Sequence, residues 1–303
     1  MYKKILIIAD IEGSTGCTCY EASSFNTKLW YDACIGMSMD INSVVKKLFE
    51  AGAEKIYVKD FHRTGYNLLP ELIDKRALII HGYKKGPVFG IGSVYDAEAA
   101  MFIGMHASSG SEGFLAHTFT SRYNSMALNK RRVTELQLFT SSLYRYSINP
   151  IFFSGCPIAC NETIEDIKGI SVFPIIKNKS GKVESDMCTS QLADMAADSL
   201  RNGYVTPYIL EPPYSAEIRM RDGEKAAKKI SDRWKINREK DTIQFTSKSF
   251  DEFYEKLIDI TYLTPTLKKI IPIALFLFNL YGRFGLAIVR FMRRDRIKKL
   301  KDR

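Results

Sequence analysis

The strongest regularity along the chain is a run of apolar residues that stops abruptly in charge. Ile5 to Ala9 are all apolar, and Asp10 and Glu12 follow at once. On an extended chain, side chains two apart point the same way, so these carboxylates aim at one spot. Further runs at residues 55–60 (KIYVKD), 76–82 (RALIIHG), 99–105 (AAMFIGM), 150–155 (PIFFSG) and 171–177 (SVFPIIK) predict more strands. Between them, residues 32–53, 133–147 and 189–203 carry helical spacing, the first and last ending at a glycine. Residues 125–133 (SMALNKRRV) predict a hairpin turning at Asn129 and Lys130. Strands alternating with helices imply an α/β fold with a largely parallel sheet.

From about Thr206 the pattern changes to shorter alternating runs, at 214–220 and 242–248, interleaved with amphipathic stretches at 223–234 and 250–263. This predicts a smaller α+β addition, residues 206–265, packed on a catalytic α/β domain of residues 1–205. A third segment, 266–303, is an apolar and basic tail.

The apolar share of 46% and charged share of 26% over 303 residues are those of an ordinary globular protein. The net charge of +10 suggests nucleic acid until it is mapped. Residues 266–303 hold eleven Lys and Arg against two Asp, which leaves the body at about +1. A basic nucleic-acid groove in the folded body is therefore not expected. Six Cys without a CxxC pair, and too few apolar residues before Asp10 for a signal peptide, predict a reduced, cytoplasmic protein. A zinc site built from Cys17, Cys19, Cys156 and Cys160 would have unusual spacing, and small buried residues are the better account.

In open α/β sheets, ligands collect beyond the carboxyl ends of the strands. Here the first run ends in Asp10 and Glu12, the second in Asp60 and His62, and the run at 99–105 in His106. His117 follows in FLAHTF, and Glu135 stands where the hairpin passes into a helix. Taken singly, each would be structural, a helix cap or a charge meeting water. Together, Asp10, Glu12, His62, His106 and Glu135 are the ligand set expected for two borderline divalent ions. Asp10, first at the strand end, is the candidate for a carboxylate shared between them.

The motifs DIEG, KDFH, GMHA, an AH pair eleven residues after His106, and TEL resemble the D-aminopeptidases of dipeptide-transport operons (DppA-type zinc metallopeptidases) in order and spacing. The similarity covers roughly residues 3 to 262. It implies that Asp10, Glu12, His62, His106 and Glu135 hold two zinc ions per subunit and that His117 is the catalytic histidine. The chemistry of a two-zinc centre favours proton transfer or oxyanion stabilisation for His117 over a nucleophilic role. The resemblance further implies a homo-oligomer acting on short peptides with an N-terminal D-residue, such as D-Ala peptides.

Two positions depart from the family pattern. Thr134 stands where the family often has Gly, and Gly155-Cys156-Pro157 stands where acidic residues are common. Asp60, two residues before His62, is expected to orient the His62 imidazole by accepting its free N–H. His81 is expected to be structural. Two other readings stay open: a dinuclear hydrolase of another amide or a phosphoester, and a non-catalytic, membrane-tethered binding protein on the same scaffold.

Residues 270–289 are apolar except for Arg283 as their only charge, with Lys268 and Lys269 before them and a basic run after. The length permits a membrane span. Asn279, Arg283, Arg290 and Arg294 fall on one helical stripe, which predicts instead a helix lying in the membrane interface and contact with a membrane surface through residues 268–303.

Overall fold

The computed structural model describes residues 1–183, 188–203 and 205–302. Strands β1 (Lys4–Ala9), β2 (Lys55–Asp60), β3 (Leu78–Ile80) and β4 (Ala99–Met105) come first, with β7 (Asn149–Gly155) and β8 (Ser171–Pro174) later in the chain. These six form one sheet in the order β3-β2-β1-β4-β7-β8, parallel throughout. The α/β fold expected from the alternation is thus observed. β1 lies in the middle, with Ile5, Ile7 and Ala9 on one face and Leu6 and Ile8 on the other. All five are fully buried, which is why the run is uniformly apolar rather than alternating.

Helices α1 (Lys28–Glu50) and α4 (Cys188–Asp198) supply the apolar cover of the first face. The side chain of Thr27 starts α1 by accepting the Trp30 N–H at 3.0 Å. The opposite face is covered by α2 (Glu135–Tyr144), α6 (Phe250–Tyr262) and a second sheet, with α3 (Pro157–Asp166) packed on β7 and β8.

The second sheet is antiparallel, in the order β10-β11-β9-β5-β6. It comprises β5 (Tyr123–Leu128), β6 (Arg131–Arg132), β9 (Tyr214–Met220), β10 (Asn237–Glu239) and β11 (Thr242–Ser247), with α5 (Gly223–Trp234) against it. The hairpin turns at Asn129 and Lys130, both left-handed with φ of 52° and 64°. Residues after 206 do not extend the parallel sheet; β9 pairs with β5 of the hairpin, so one sheet crosses the 205/206 boundary. Local alternation marks a strand without naming its partner, and the partner here is chosen by Met126, Leu128, Ala216 and Ile218 sharing one core.

The tail folds into α7 (Pro265–Lys269), α8 (Ile271–Met292) and α9 (Arg294–Lys301), and it lies on the body. Leu286 and Val289 are buried against the α1 side of the core. Gly282 and Gly285 permit this approach: a Cβ at either would collide with the ring of Tyr66 or Phe25. The stripe runs along the edge of the contact: Arg283 and Arg290 stay exposed but find partners on the body, while Arg294 lies beyond the end of α8. Asn279 donates to the Tyr83 carbonyl (3.4 Å), Arg283 to the Tyr66 hydroxyl (3.2 Å), and Arg290 grips Glu71 through two nitrogens (2.8 and 2.9 Å). Arg293 and Arg296 both reach Asp32.

Exposed ion pairs contribute at most about 1 kcal/mol each, whereas fully burying a Leu or Val side chain contributes about 1.5–3 kcal/mol. The glycine contact should therefore matter more than the ion pairs. Gly285→Leu, which overpacks against Phe25, is expected to destabilise by about 1–3 kcal/mol and to make α8 sensitive to limited proteolysis. Asp32→Ala, which frees Arg293 and Arg296, should cost less than about 1 kcal/mol. Thermal melts ranking the two variants in the opposite order would show that the ion pairs hold the tail.

Candidate metal centre

The order of the central sheet reverses between β1 and β4, and a crevice opens there beyond the carboxyl ends of the strands. Asp10 leaves β1 with its N–H still on the Ile103 carbonyl (2.9 Å), so its position is an extension of the sheet ladder. Gly104 interrupts β4 with φ of +76°, where the register against β7 slips. A Cβ there would strike the Asp10 carbonyl oxygen, so only glycine lets the two strand ends cross this closely. Two residues later His106 turns its ring towards Asp10.

The crevice brings the sequence-predicted residues together. His62 Nδ1 lies 3.1 Å from Asp10 Oδ1 and 2.8 Å from Glu12 Oε2. His106 Nε2 lies 3.4 Å from Asp10 Oδ2 and 3.5 Å from Glu135 Oε1. The His117 ring stacks on His106 with centroids 3.8 Å apart, and His106, His117 and Glu135 each offer a donor atom within 4.8 Å of the others. The same holds for Asp10, Glu12 and His106. Asp10, Glu12, His62, His106 and Glu135 are all at least 93% buried.

Supporting contacts fix these side chains. His62 Nε2 faces the Ser23 carbonyl at 2.8 Å, which assigns Nε2 as the protonated nitrogen and leaves Nδ1 directed at the carboxylates. Asp60 does not play the expected part: it receives Asn67 and Leu68 backbone N–H groups and the Asn67 side chain, and it faces His81 Nδ1 at 3.3 Å. The turn after β2 carries Asp60 away from the imidazole, and Asn67 links them by also donating to the His62 carbonyl (2.8 Å). His81 faces Asp60 and stacks on Tyr66. After His106, Glu162 accepts both the N–H and the hydroxyl of Ser108 and pairs with Arg132, anchoring that loop to α3.

Thr134 has a local reason. It caps α2 by accepting the Gln137 N–H at 3.1 Å while Gln137 accepts the Thr134 N–H at 3.0 Å. This places Glu135 in the first turn, where its Oε1 takes the Phe119 N–H at 2.6 Å. Cys156 and Pro157 begin α3 in the same way that prolines open helices elsewhere. Lys177 was not anticipated: its Nζ donates to the Glu12 and Cys17 carbonyls, both at 2.7 Å, and sits over the Phe114 ring. Nothing in the local pattern of residues 171–177 announces that contact.

Three buried carboxylates in one crevice are costly without cations. Protons are drawn in instead. Burial lowers the His62 pKa, but Glu12 and Asp10 outweigh it and raise the value to about 10. Burial lowers that of His106 too, and Glu135 and Asp10 raise it on balance. Burial raises Glu135 to about 7. Asp10 resists burial through its hydrogen bond to His62 and falls to about 2. His117 is pushed the other way, to about 3, by burial and then by His106.

Glu12 Oε2 is buried and has no hydrogen-bond partner among the described residues, although His62 Nδ1 lies 2.8 Å away. An orphaned carboxylate oxygen among carboxylate and imidazole donors fits a borderline divalent cation.

Three comparisons place these features. A profile of the D-aminopeptidase family matches residues 3–258. The D-aminopeptidase of Bacillus subtilis (strain 168) is 22% identical over 270 residues, which covers 86% of this chain and 97% of that protein. The solved structure of Zn-dependent D-aminopeptidase DppA from Bacillus subtilis, described as a self-compartmentalizing protease, gives a TM-score of 0.77 at 22% identity, with coverage of 86% and 97%. That likeness shows a shared fold. The family match stops before α7, α8 and α9.

Glu135 generates a test of the charge argument. Its pKa is about 7 in the fold against an ordinary 4.5, so the folded state binds the proton more tightly. The stability this supplies is full below about pH 4.5 and is lost as pH rises through 7. Glu135→Gln keeps an acceptor for the Phe119 N–H and removes the titration. In chelator-treated protein the variant should gain on wild type between pH 5 and pH 8, by up to about 3 kcal/mol. Urea unfolding at the two pH values measures it, and a gap that does not widen would contradict the burial argument.

Proposed function

The chain belongs to the D-aminopeptidase family, and from that premise we propose that it is a zinc-dependent aminopeptidase removing an N-terminal D-residue, D-Ala among them, from short peptides at a binuclear centre. The observation that carries the two-ion reading is the split of Asp10, whose Oδ1 faces His62 while Oδ2 faces His106. Asp10, Glu12 and His62 would hold one ion, and Asp10, His106 and Glu135 the other. Zinc bound there would polarise the scissile carbonyl and acidify water.

The chain's own groups do the rest. His117 presents Nδ1 to the Leu115 carbonyl at 2.8 Å, so that nitrogen carries the proton and Nε2 is left as an acceptor. That acceptor nitrogen is the one suited to taking a proton from the attacking water. An oxyanion-donor role would require a proton on Nε2, which the Leu115 contact opposes. This favours proton transfer over the other role that the sequence left open.

A cavity of about 320 Å³ is walled by Phe114, Cys156, Pro157, Ile175 and Lys177, with Glu112 also on its lining. Its size is at the small end of ligand sites, which suits a short peptide. Lys177 connects it to the metal centre through the Glu12 carbonyl. A wall that holds one cation and one anion complements a peptide whose two ends are oppositely charged. We further infer a homo-oligomer, since the solved relative is described as self-compartmentalizing.

The test is release of D-Ala from D-Ala-D-Ala and D-Ala-Gly-Gly, beside the L-peptides, with zinc or with chelator. Chelator-sensitive cleavage confined to the D-peptides is expected; equal cleavage of L-peptides or indifference to chelator would overturn the reading. His117→Ala should lower kcat by roughly 10²–10⁴ while zinc content, measured by elemental analysis, is unchanged. Asp10→Ala should lose zinc as well as activity.

A further inference from the structure

Helix α8 has two opposed apolar faces, and only one of them is used. Gly282, Gly285, Leu286 and Val289 point inward and are buried. On the opposite side Ile273, Phe276, Leu277, Leu280, Phe284 and Phe291 fall within an arc of about 100°, at 3.6 residues per turn. These six side chains are between 53% and 80% exposed. The helix is long and apolar enough to cross a membrane by length and composition. Crossing would strip Gly282 from Tyr66 and Gly285 from Phe25, and would carry Asn279 and Arg283 into hydrocarbon.

The polar groups are what fix which face looks out. Asn279, Arg283 and Arg290 are engaged with Tyr83, Tyr66 and Glu71, so the helix cannot rotate about its axis without breaking all three contacts. The ends of the ridge are cationic. Lys269 precedes it, and Arg294, Lys298, Lys299 and Lys301 follow; none has a carboxylate partner within 4.0 Å among the described residues. Residues 266–303 carry +9 in all.

We propose that the outer face of α8, with the cations at its ends, docks the protein on an anionic lipid bilayer. The helix lies along the surface, its aromatic and aliphatic ridge enters at the level of the headgroups, and the unpaired Lys and Arg meet lipid phosphates. Charge decides between this occupant and a second copy of the chain. A two-fold contact between copies would bring two sets of these unpaired cations together, whereas an anionic membrane neutralises one set. The surface lies beyond the part of the chain that matches the D-aminopeptidase family, so it is an addition to the catalytic body. In a homo-oligomer several such ridges would act together and strengthen a weak single contact.

The full-length protein should float with vesicles of phosphatidylcholine containing about 30% phosphatidylglycerol and should float at least about tenfold less with phosphatidylcholine alone. Phe284→Ser with Phe291→Ser, both at exposed positions, should reduce flotation by at least about tenfold without moving Tm. Lys298→Glu with Lys299→Glu should reduce it on the anionic vesicles only. Failure of the wild type to float on either vesicle, or flotation that ignores the Phe substitutions, would overturn the proposal. So would a fall in oligomer mass by light scattering in the Phe variant without any vesicle binding, which would mark the ridge as a contact between copies.

Discussion

Asp10, Glu12 and Glu135 are buried around His106 at the point where the central sheet reverses its order. Much of the local architecture answers to the cost of keeping those charges apart from water. Gly104 lets β4 cross close to the Asp10 backbone so that His106 can face the carboxylate. Ser23 holds the far nitrogen of His62, and Asn67 bonds the Asp60 carboxylate, the His62 carbonyl and the Trp30 indole at once. Glu162 fixes the loop after His106 from the other side. Each contact turns a donor nitrogen or a carboxylate towards the same crevice.

The ends of strands were legible in the sequence because charge after an apolar run is a local signal. Asp10, Glu12, His62 and His106 were found in that way and Glu135 at the passage from hairpin to helix, and the structure brings all five together with His117. What escaped was contact made by backbone or over long separations. The Ser23 carbonyl has no side-chain signature, and Lys177 reaches the Glu12 carbonyl across 165 positions. Asp60 was misread for a related reason. A spacing of two puts Asp60 and His62 on one side only while the chain stays extended, and β2 ends at Asp60. The turn then gives Asp60 to Asn67, Leu68 and His81.

The departures from the family pattern divide along the same line. Thr134 is a helix cap, a role readable from Thr134 and Gln137 three apart once the helix is granted. Cys156 does two things: it precedes α3 and it lines the cavity beside Lys177. Only the first is local. A residue that opens a helix and faces a cavity is under both constraints, and its neighbours in sequence disclose just one.

The tail shows how far a periodic pattern determines orientation. Helical spacing grouped Asn279, Arg283 and Arg290 on α8, whereas Arg294 falls past the break at Arg293 and opens α9; and a stripe has no sign, because the same period describes a helix that turns its polar side to lipid headgroups or to its own protein. The deciding quantity is which partner each group finds. Glu71, Tyr66 and the Tyr83 carbonyl satisfy the stripe within the chain, and the small Gly282 and Gly285 let the helix sit close enough for those contacts to form. Once the polar groups are satisfied by the body along one flank, the aromatic ridge is left outward, in contact with water. A contiguous apolar surface of that kind, bounded by unpaired cations, is unfavourable for an isolated soluble protein. In the docking proposed for α8 the logic is that of the crevice: buried carboxylates are one half of a pair completed by a cation, and an apolar ridge with cations at its ends is one half of a pair completed by an anionic bilayer.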